Sequence, residues 1–242
     1  MAMRILGVLV LLAASPVLGT GPEEGLVGYW SFDEESGVDV RDASRSQLHG
    51  KIRNPEHAKR VKGIRGRAIE FGGSEKFKYG CVVVQGVKDA CDFTQGMTVE
   101  AWIKPNEHWA RQDTGFLASS APSRGPGWRF SLAWSSLALI SGDGEKAWGA
   151  GSSASEHGLF EKDRWYHVAA TYDGSVYTVY LNGVVAGKSD PGLALTKCFF
   201  TRLSIGSYDS GRGSVFHGAL DEVKVYTRAK SAMEILKDAR LY

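Results

Sequence analysis

Apolar and polar residues alternate with a period of two along most of the chain. Met97-Thr98-Val99-Glu100-Ala101-Trp102-Ile103 alternates up to Ala101 and stops at Pro105, the pattern of a strand. Leu26–Phe32, Ala68–Gly73 and Cys81–Val84 are rich in β-branched and aromatic residues and bounded by Asp and Gly. They read as strands, as do 115–119, 127–134, 137–141, 199–207 and 216–226. Between 165 and 187 the signal is sharpest. Trp165–Tyr172, Val176–Leu181 and Val184–Ala186 are separated by Asp173-Gly174 and Asn182-Gly183. Both dipeptides tolerate the backbone of tight hairpin turns, so a three-stranded antiparallel meander is predicted. Many short strands with short turns and no visible linker argue for one all-β sandwich. A single short helix is predicted at the end, where Ser231 and Glu234 form a capping box. Met233, Leu236 and Leu241 are expected to face the sandwich.

Composition changes this picture little. The chain has 242 residues, 43% hydrophobic and 23% charged, with 30 glycines against 7 prolines, which suits a globular domain with many tight turns. Its 29 basic and 27 acidic residues are interspersed. No basic block marks a nucleic-acid partner.

The N-terminus reads as a leader. Arg4 precedes the apolar run Ile5–Ala14, which is too short for a stable membrane span. Ser15-Pro16 breaks the run, and Val17 and Gly19 suit the small-residue positions of a signal peptidase site. The expectation is a signal peptide over 1–19 and a mature domain over 20–242, secreted or at the cell surface. No other segment has the apolar length to cross a membrane. The three cysteines allow one intrachain bridge at most. Cys81 and Cys91 close a small loop and are the expected pair; Cys198 is an alternative partner for either.

The stretches LVGYWSFDEESG (26–37), GRAIEFGG (66–73), MTVEAWIKP (97–105), RWYHVAATYDG (164–174), VYLNGVVAG (179–187), LSIGS (203–207) and HGALDEVKVYTRAKSAMEI (217–235) follow one another in that order. Together they resemble the LamG-like jellyroll domain of the concanavalin A-like lectin/glucanase superfamily, over residues 26–238. The resemblance implies a two-sheet antiparallel jelly roll with a concave face, its first and last strands side by side. Fold alone leaves function open, because such a superfamily hosts lectins, glycosidases, lyases and spacers.

His167 sits in the run WYHVAATYDG, where both faces of the strand are largely apolar. It is therefore read as packed core with a satisfied ring, not as a catalytic base. Trp30, Trp102 and Trp165 fall at strand positions typical of the family and are read as sandwich core. Glu100 stands without a second carboxylate on its strand, so neither the E-x-D-x-x-E cluster of glucanases nor a lyase triplet is present. A non-catalytic reading follows.

Binding is expected in the variable region 106–160. Trp109, Trp128, Trp134 and Trp148 supply flat apolar surfaces for sugar C–H faces, and Arg129 and Asp143 supply polar orientation. Asp33, Asp42 and Asp221 flank the first and last strands and are candidate ligands for a structural Ca²⁺. The function expected is a secreted binding module for a glycan or a cell-surface protein. A purely structural or adhesive protein is the rival, and a cryptic glycosidase or lyase the more distant one.

Overall fold

The computed structural model describes residues 23–73, 79–87, 93–106, 114–119, 127–133, 136–142, 147–150, 153–154, 160–189, 202–208 and 213–242. The expected leader and Cys91 lie outside them. The strands in chain order are β1 (Leu26–Trp30), β2 (Asp39–Val40), β3 (Gly50–Arg53), β4 (Ala58–Lys62), β5 (Arg67–Phe71), β6 (Cys81–Gln85) and β7 (Met97–Pro105). Then come β8 (Thr114–Ser119), β9 (Gly127–Ala133), β10 (Ser136–Gly142), β11 (Ala147–Ala150) and β12 (Ser153–Ala154). The meander is β13 (Tyr166–Tyr172), β14 (Tyr177–Leu181) and β15 (Val184–Ser189). The chain closes with β16 (Arg202–Ile205), β17 (Ser207–Tyr208), β18 (Gly213–Val215), β19 (Gly218–Tyr226) and the helix α1 (Ala232–Ala239).

Two large antiparallel sheets result, and β17 and β18 pair as a separate two-stranded ribbon. One has eight strands in the order β15-β14-β13-β7-β19-β5-β4, with β1 also on β19. The other has nine, β11-β10-β9-β8-β16-β6-β3-β2, with β12 on β10. The alternation read from sequence decides what lies between them. Met97, Val99, Ala101 and Ile103 of β7 enter the core with Tyr166, Val168, Ala170 and Tyr172 of β13. From the nine-stranded sheet come Val82, Val84, Phe130, Leu132, Leu137 and Leu139.

The first and last strands pair, Leu26 with Tyr226 and Trp30 with Val223, as the family resemblance implied. β19 exchanges partners along one edge: Gly218–Leu220 pair with β5 and Val223–Tyr226 with β1. The exchange falls at a bulge between Asp221 and Lys224, where Glu222 takes a left-handed φ of 51°.

Strands β2, β3 and β4 were not read from the sequence. They carry Lys51, Arg53, Lys59, Arg60 and Lys62, and β2 and β4 are sheet edges. Charged edge strands resist edge-to-edge pairing, and the same charges hide the strand signal.

The helix forms where expected, with both halves of the Ser231–Glu234 capping box in place. Its buried residue, however, is Ile235, packed with Ala169 and Tyr180. Met233 and Leu241 are exposed, which corrects the expected facing. α1 lies on the outside of the eight-stranded sheet, over its β13-β14-β15 end. Gly183, at φ 80°, permits this approach, since a Cβ there would stand 2.9 Å from the Leu236 Cα.

Candidate functional site

The outward face of the eight-stranded sheet is built from the polar half of each alternating strand. Cross-strand register sorts it into rows. Thr171, Thr98 and Tyr226 form the first row; Ala169, Glu100 and Lys224 the second; His167, Trp102 and Asp221 the third. The last row begins at Trp165, next to the Tyr166–Ile103 pair, and continues through Lys104, Ala219, Glu70 and Lys59.

The first three rows are covered by α1 and the C-terminal tail. Beneath them the Lys230 ammonium donates to Glu100 Oε1 at 3.1 Å, to Glu23 at 3.3 Å and to Asp238. The Tyr226 hydroxyl donates to Glu100 Oε1 at 3.2 Å, and His167 Nε2 stands 3.6 Å from Glu100 Oε2. Burial alone would raise the Glu100 pKa. The His167 imidazole and the Lys230 and Lys224 charges override it and hold the carboxyl at about 2. The tail is fastened beside this cluster. The Tyr242 and Tyr29 hydroxyls both donate to Glu222 Oε2 at 2.8 Å, Arg65 donates to the Tyr242 hydroxyl, and the Tyr242 ring meets Trp102 edge-on at 5.9 Å.

His167 is thus buried, as expected, but in this ionic layer rather than in the sandwich core. Its Nδ1 has no hydrogen-bond partner, so the ring is not fully satisfied. Through Lys230 this layer ties Asp238 of α1 to Glu100 of the sheet.

The last row is mixed: Ala219 at its middle is 1% exposed, and Lys59 at one end is exposed. Trp165 and Lys104 are half-buried, with the Lys104 ammonium 5.2 Å from the centre of the indole. This corrects the expectation that Trp165 belongs to the core: Tyr166 faces inward, so its neighbour must face out. Trp30 is core, and Trp102 is buried on the outward face under the tail.

At the other end of the row lies a pocket of about 240 Å³, lined by Glu56, His57, Lys59, Glu70, Phe71, Gly72, Gly73 and Asn106. Its walls are pinned by backbone. Gly72 N donates to His57 O, Gly80 N to Gly72 O, and the Asn54 amide to Tyr79 O. Asn54 starts the 3₁₀ turn Pro55–His57 from a left-handed φ of 52°. A Cβ on Gly72 would meet no atom within 4 Å, so the space above this residue is free. The lining offers carboxylate acceptors, an ammonium, an imidazole and an amide, a set matched to hydroxyl-rich ligands. Glu56 is exposed and Glu70 half-buried, unlike the enclosed acid of a glycosidase.

Of the ligand-binding residues expected from sequence, Trp128 and Arg129 have described side chains, and neither lines this pocket. Trp128 is 3% exposed, in the core, edge-on to Phe93. It presents no face to a ligand, because it alternates inward with Phe130 and Leu132. Arg129 is on the outward face of the nine-stranded sheet, half-buried. Trp109, Trp134 and Asp143 lie outside the described residues, as does the side chain of Trp148.

The three aspartates hold backbone. Asp42 accepts from Tyr29 N, Ser44 N, Ser44 Oγ and Leu48 N. Asp33 accepts from Arg67 N, and Asp221 from Arg65 N and Glu222 N, so these two clasp one turn between β4 and β5. Among the described residues no group of three His, Cys, Asp or Glu side chains is placed to hold a metal ion. Cys81 is buried as a free thiol, its pKa pushed up to about 12 by burial, and its expected partner Cys91 and the alternative Cys198 lie outside the described residues. Among the described residues no helix is long and apolar enough to cross a membrane.

The pocket residues Glu70, Lys59 and Gly72 and the outward Trp165 were missed by sequence reading. The one sequence signal was alternation across Trp165-Tyr166, which puts one of the two aromatics outside.

Several solved structures share this fold. Domain 4 of AbnA, a GH43 extracellular arabinanase from Geobacillus stearothermophilus, in complex with arabinotriose, aligns at TM-score 0.69 and 20% identity over 90% of this chain and 100% of that one. The binding domain of Paraclostridial Mosquitocidal Protein 1 aligns at 0.68 and 16% identity, over 89% and 52%. The binding domain of Botulinum neurotoxin DC in complex with rat synaptotagmin II aligns at 0.66 and 9% identity, over 89% and 51%. The chain spans about half of each toxin chain. A search of curated proteins finds no significant match. A family model matches residues 82–236, and the chain belongs to that family, Laminin_G_3 of the Concanavalin A-like lectin/glucanases superfamily.

Proposed function

We propose that this protein is a secreted, non-catalytic module that binds a glycan chain end in the pocket beside β4 and β5. The observation that carries this reading is the pocket itself. At about 240 Å³ it is smaller than a drug-sized site and suits a single sugar ring. Acceptors and donors alternate around it, and backbone hydrogen bonds pre-form its walls. The leader-like N-terminus supports secretion. A structural neighbour solved with arabinotriose supports a saccharide ligand, and another is solved in complex with rat synaptotagmin II.

The test is a glycan array with the purified chain, run with Ca²⁺ and with EDTA, beside the Gly72→Leu variant. A Cβ at position 72 meets no atom within 4 Å, so a side chain there starts in open space at the pocket lining. The expected result is specific binding by the natural chain and none by the variant, with equal melting temperatures. A blank array with folded protein, or release of sugar from any bound glycan, overturns the reading.

A further inference from the structure

We infer that the outward face of the eight-stranded sheet carries a second binding site, for a phenolic ring, and that Tyr242 is its displaceable occupant. The site is separate from the glycan pocket. Trp102 of β7, Glu222 of β19, Tyr29 of β1 and Arg65 of the β4–β5 turn converge on the Tyr242 ring. Glu222 is 3% exposed. Its partners among the described residues are two phenols. The Tyr29 and Tyr242 hydroxyls each donate to Oε2 at 2.8 Å, and Oε1 is buried with no partner. A buried carboxylate left so is unfavourable, and it calls for a reason beyond the fold. The bulge between Asp221 and Lys224 holds Glu222 there at a left-handed φ of 51°, a second strain at the same residue.

Tyr242 shows what the site accepts. Its ring meets the Trp102 indole edge-on at 5.9 Å. Its hydroxyl donates to Glu222 and accepts from Arg65 at 3.2 Å, and the Arg65 guanidinium stands 5.8 Å from the ring centre. The ring is read as a neutral phenol. Burial and the Glu222 bond push its hydroxyl up to about 12, so it keeps its proton at neutral pH. The hold on it is light. Tyr242 is 40% exposed and Leu241 54%. Arg240 N and Leu241 N donate back to Lys237 O and Asp238 O of the helix, not to the sheet. Releasing the Tyr242 ring therefore leaves α1 seated through Ile235 and Asp238. A phenol from outside, free or on a tyrosine of another protein, replaces like with like.

The experiment is calorimetric titration of the natural chain and of Tyr242→Ala with p-cresol and N-acetyltyrosinamide. Toluene and N-acetylphenylalaninamide are the counterparts without a hydroxyl. Tyr242→Ala should bind p-cresol saturably, with a Kd in roughly the millimolar range, and its melting temperature should rise as the site fills. The natural chain should bind about tenfold or more weakly, because the ligand competes with Tyr242. Toluene should bind Tyr242→Ala about tenfold or more weakly than p-cresol, since it leaves Glu222 without its donor. Glu222→Gln in that background narrows the difference. Tyr242→Phe, which keeps the ring and drops the hydroxyl, should bind p-cresol more tightly than the natural chain. Tighter binding of N-acetyltyrosinamide than of p-cresol assigns the site to a protein tyrosine, and the reverse to a free phenol. A folded Tyr242→Ala chain that takes up no p-cresol, or equal affinity in the natural chain, overturns the site. Equal binding of toluene overturns the phenol assignment. Tyr242 ring resonances of the natural chain that stay fixed at about ten times the concentration that saturates Tyr242→Ala overturn the exchange.

Discussion

Strands β7, β13 and β19 each cross two kinds of surface on one outward face. Toward one end, Glu100, His167 and Lys230 are 1–3% exposed under α1 and the tail. Toward the other, Trp165 and Lys104 are half-buried, and Lys59 and Glu70 further along the row line a pocket. The strands and their alternation are the same in both regions. What differs is the layer above. Where chain lies on the sheet, outward polar residues must be neutralised within the protein, because a buried unpaired charge is costly. Where none lies, polar residues can stay unsatisfied by protein and meet a ligand.

The two regions should respond differently to substitution. Glu100→Gln breaks the covered layer and leaves Lys230 short of one buried partner, so a loss of about 3–5 kcal/mol is expected in denaturant unfolding. Glycan affinity of the folded variant should be unchanged; a fall in affinity would mean that the two regions are coupled. Ile235→Ala detaches α1 from Ala169 and Tyr180 and should cost about 2–4 kcal/mol.

The capping box is a smaller lever on the same layer. Ser231→Ala removes its reciprocal bonds and should cost about 1 kcal/mol, read as a lowered melting temperature. Trp165→Ala removes a half-buried ring that carries the Lys104 ammonium and should move the melting temperature least of the four.

Acid sharpens the contrast further. Glu100 sits at about 2 when folded against an ordinary 4.5, so its contribution is complete above pH 4.5 and is lost as pH falls toward 2. Asp221 has the opposite sign. Burial raises it from 3.8 to about 7, so the folded chain keeps a proton that the unfolded chain releases. Its effect is to lower stability as pH rises from about 4 to 7. The urea midpoint measured against pH should fall over that window in the natural chain and less in Asp221→Asn. It should fall in acid in the natural chain and less in Glu100→Gln.

Much of this was legible in the sequence. The 97–105 strand, the 165–187 meander, the pairing of first and last strands and the Ser231 cap were all read correctly. Each rests on residues a few positions apart, or on a family order of motifs. The alternation Trp128-Arg129-Phe130-Ser131-Leu132 already placed Trp128 inward, and an expectation built on tryptophan content overrode it. The last row was not legible, because its members come from positions 59, 70, 104, 165 and 219. No local spacing joins them; cross-strand register does.

Sequence by itself determined which residues share a strand face and where turns and the helix begin, because period, turn chemistry and capping act over a few residues. Only the tertiary structure decided that β19 changes partner at Asp221, that α1 covers Glu100 and His167, and that Trp165 stays half-buried. Those outcomes depend on which distant segment lies over each position. The solvation of a side chain, and hence its chemistry, is set by that neighbour and not by its place along the chain.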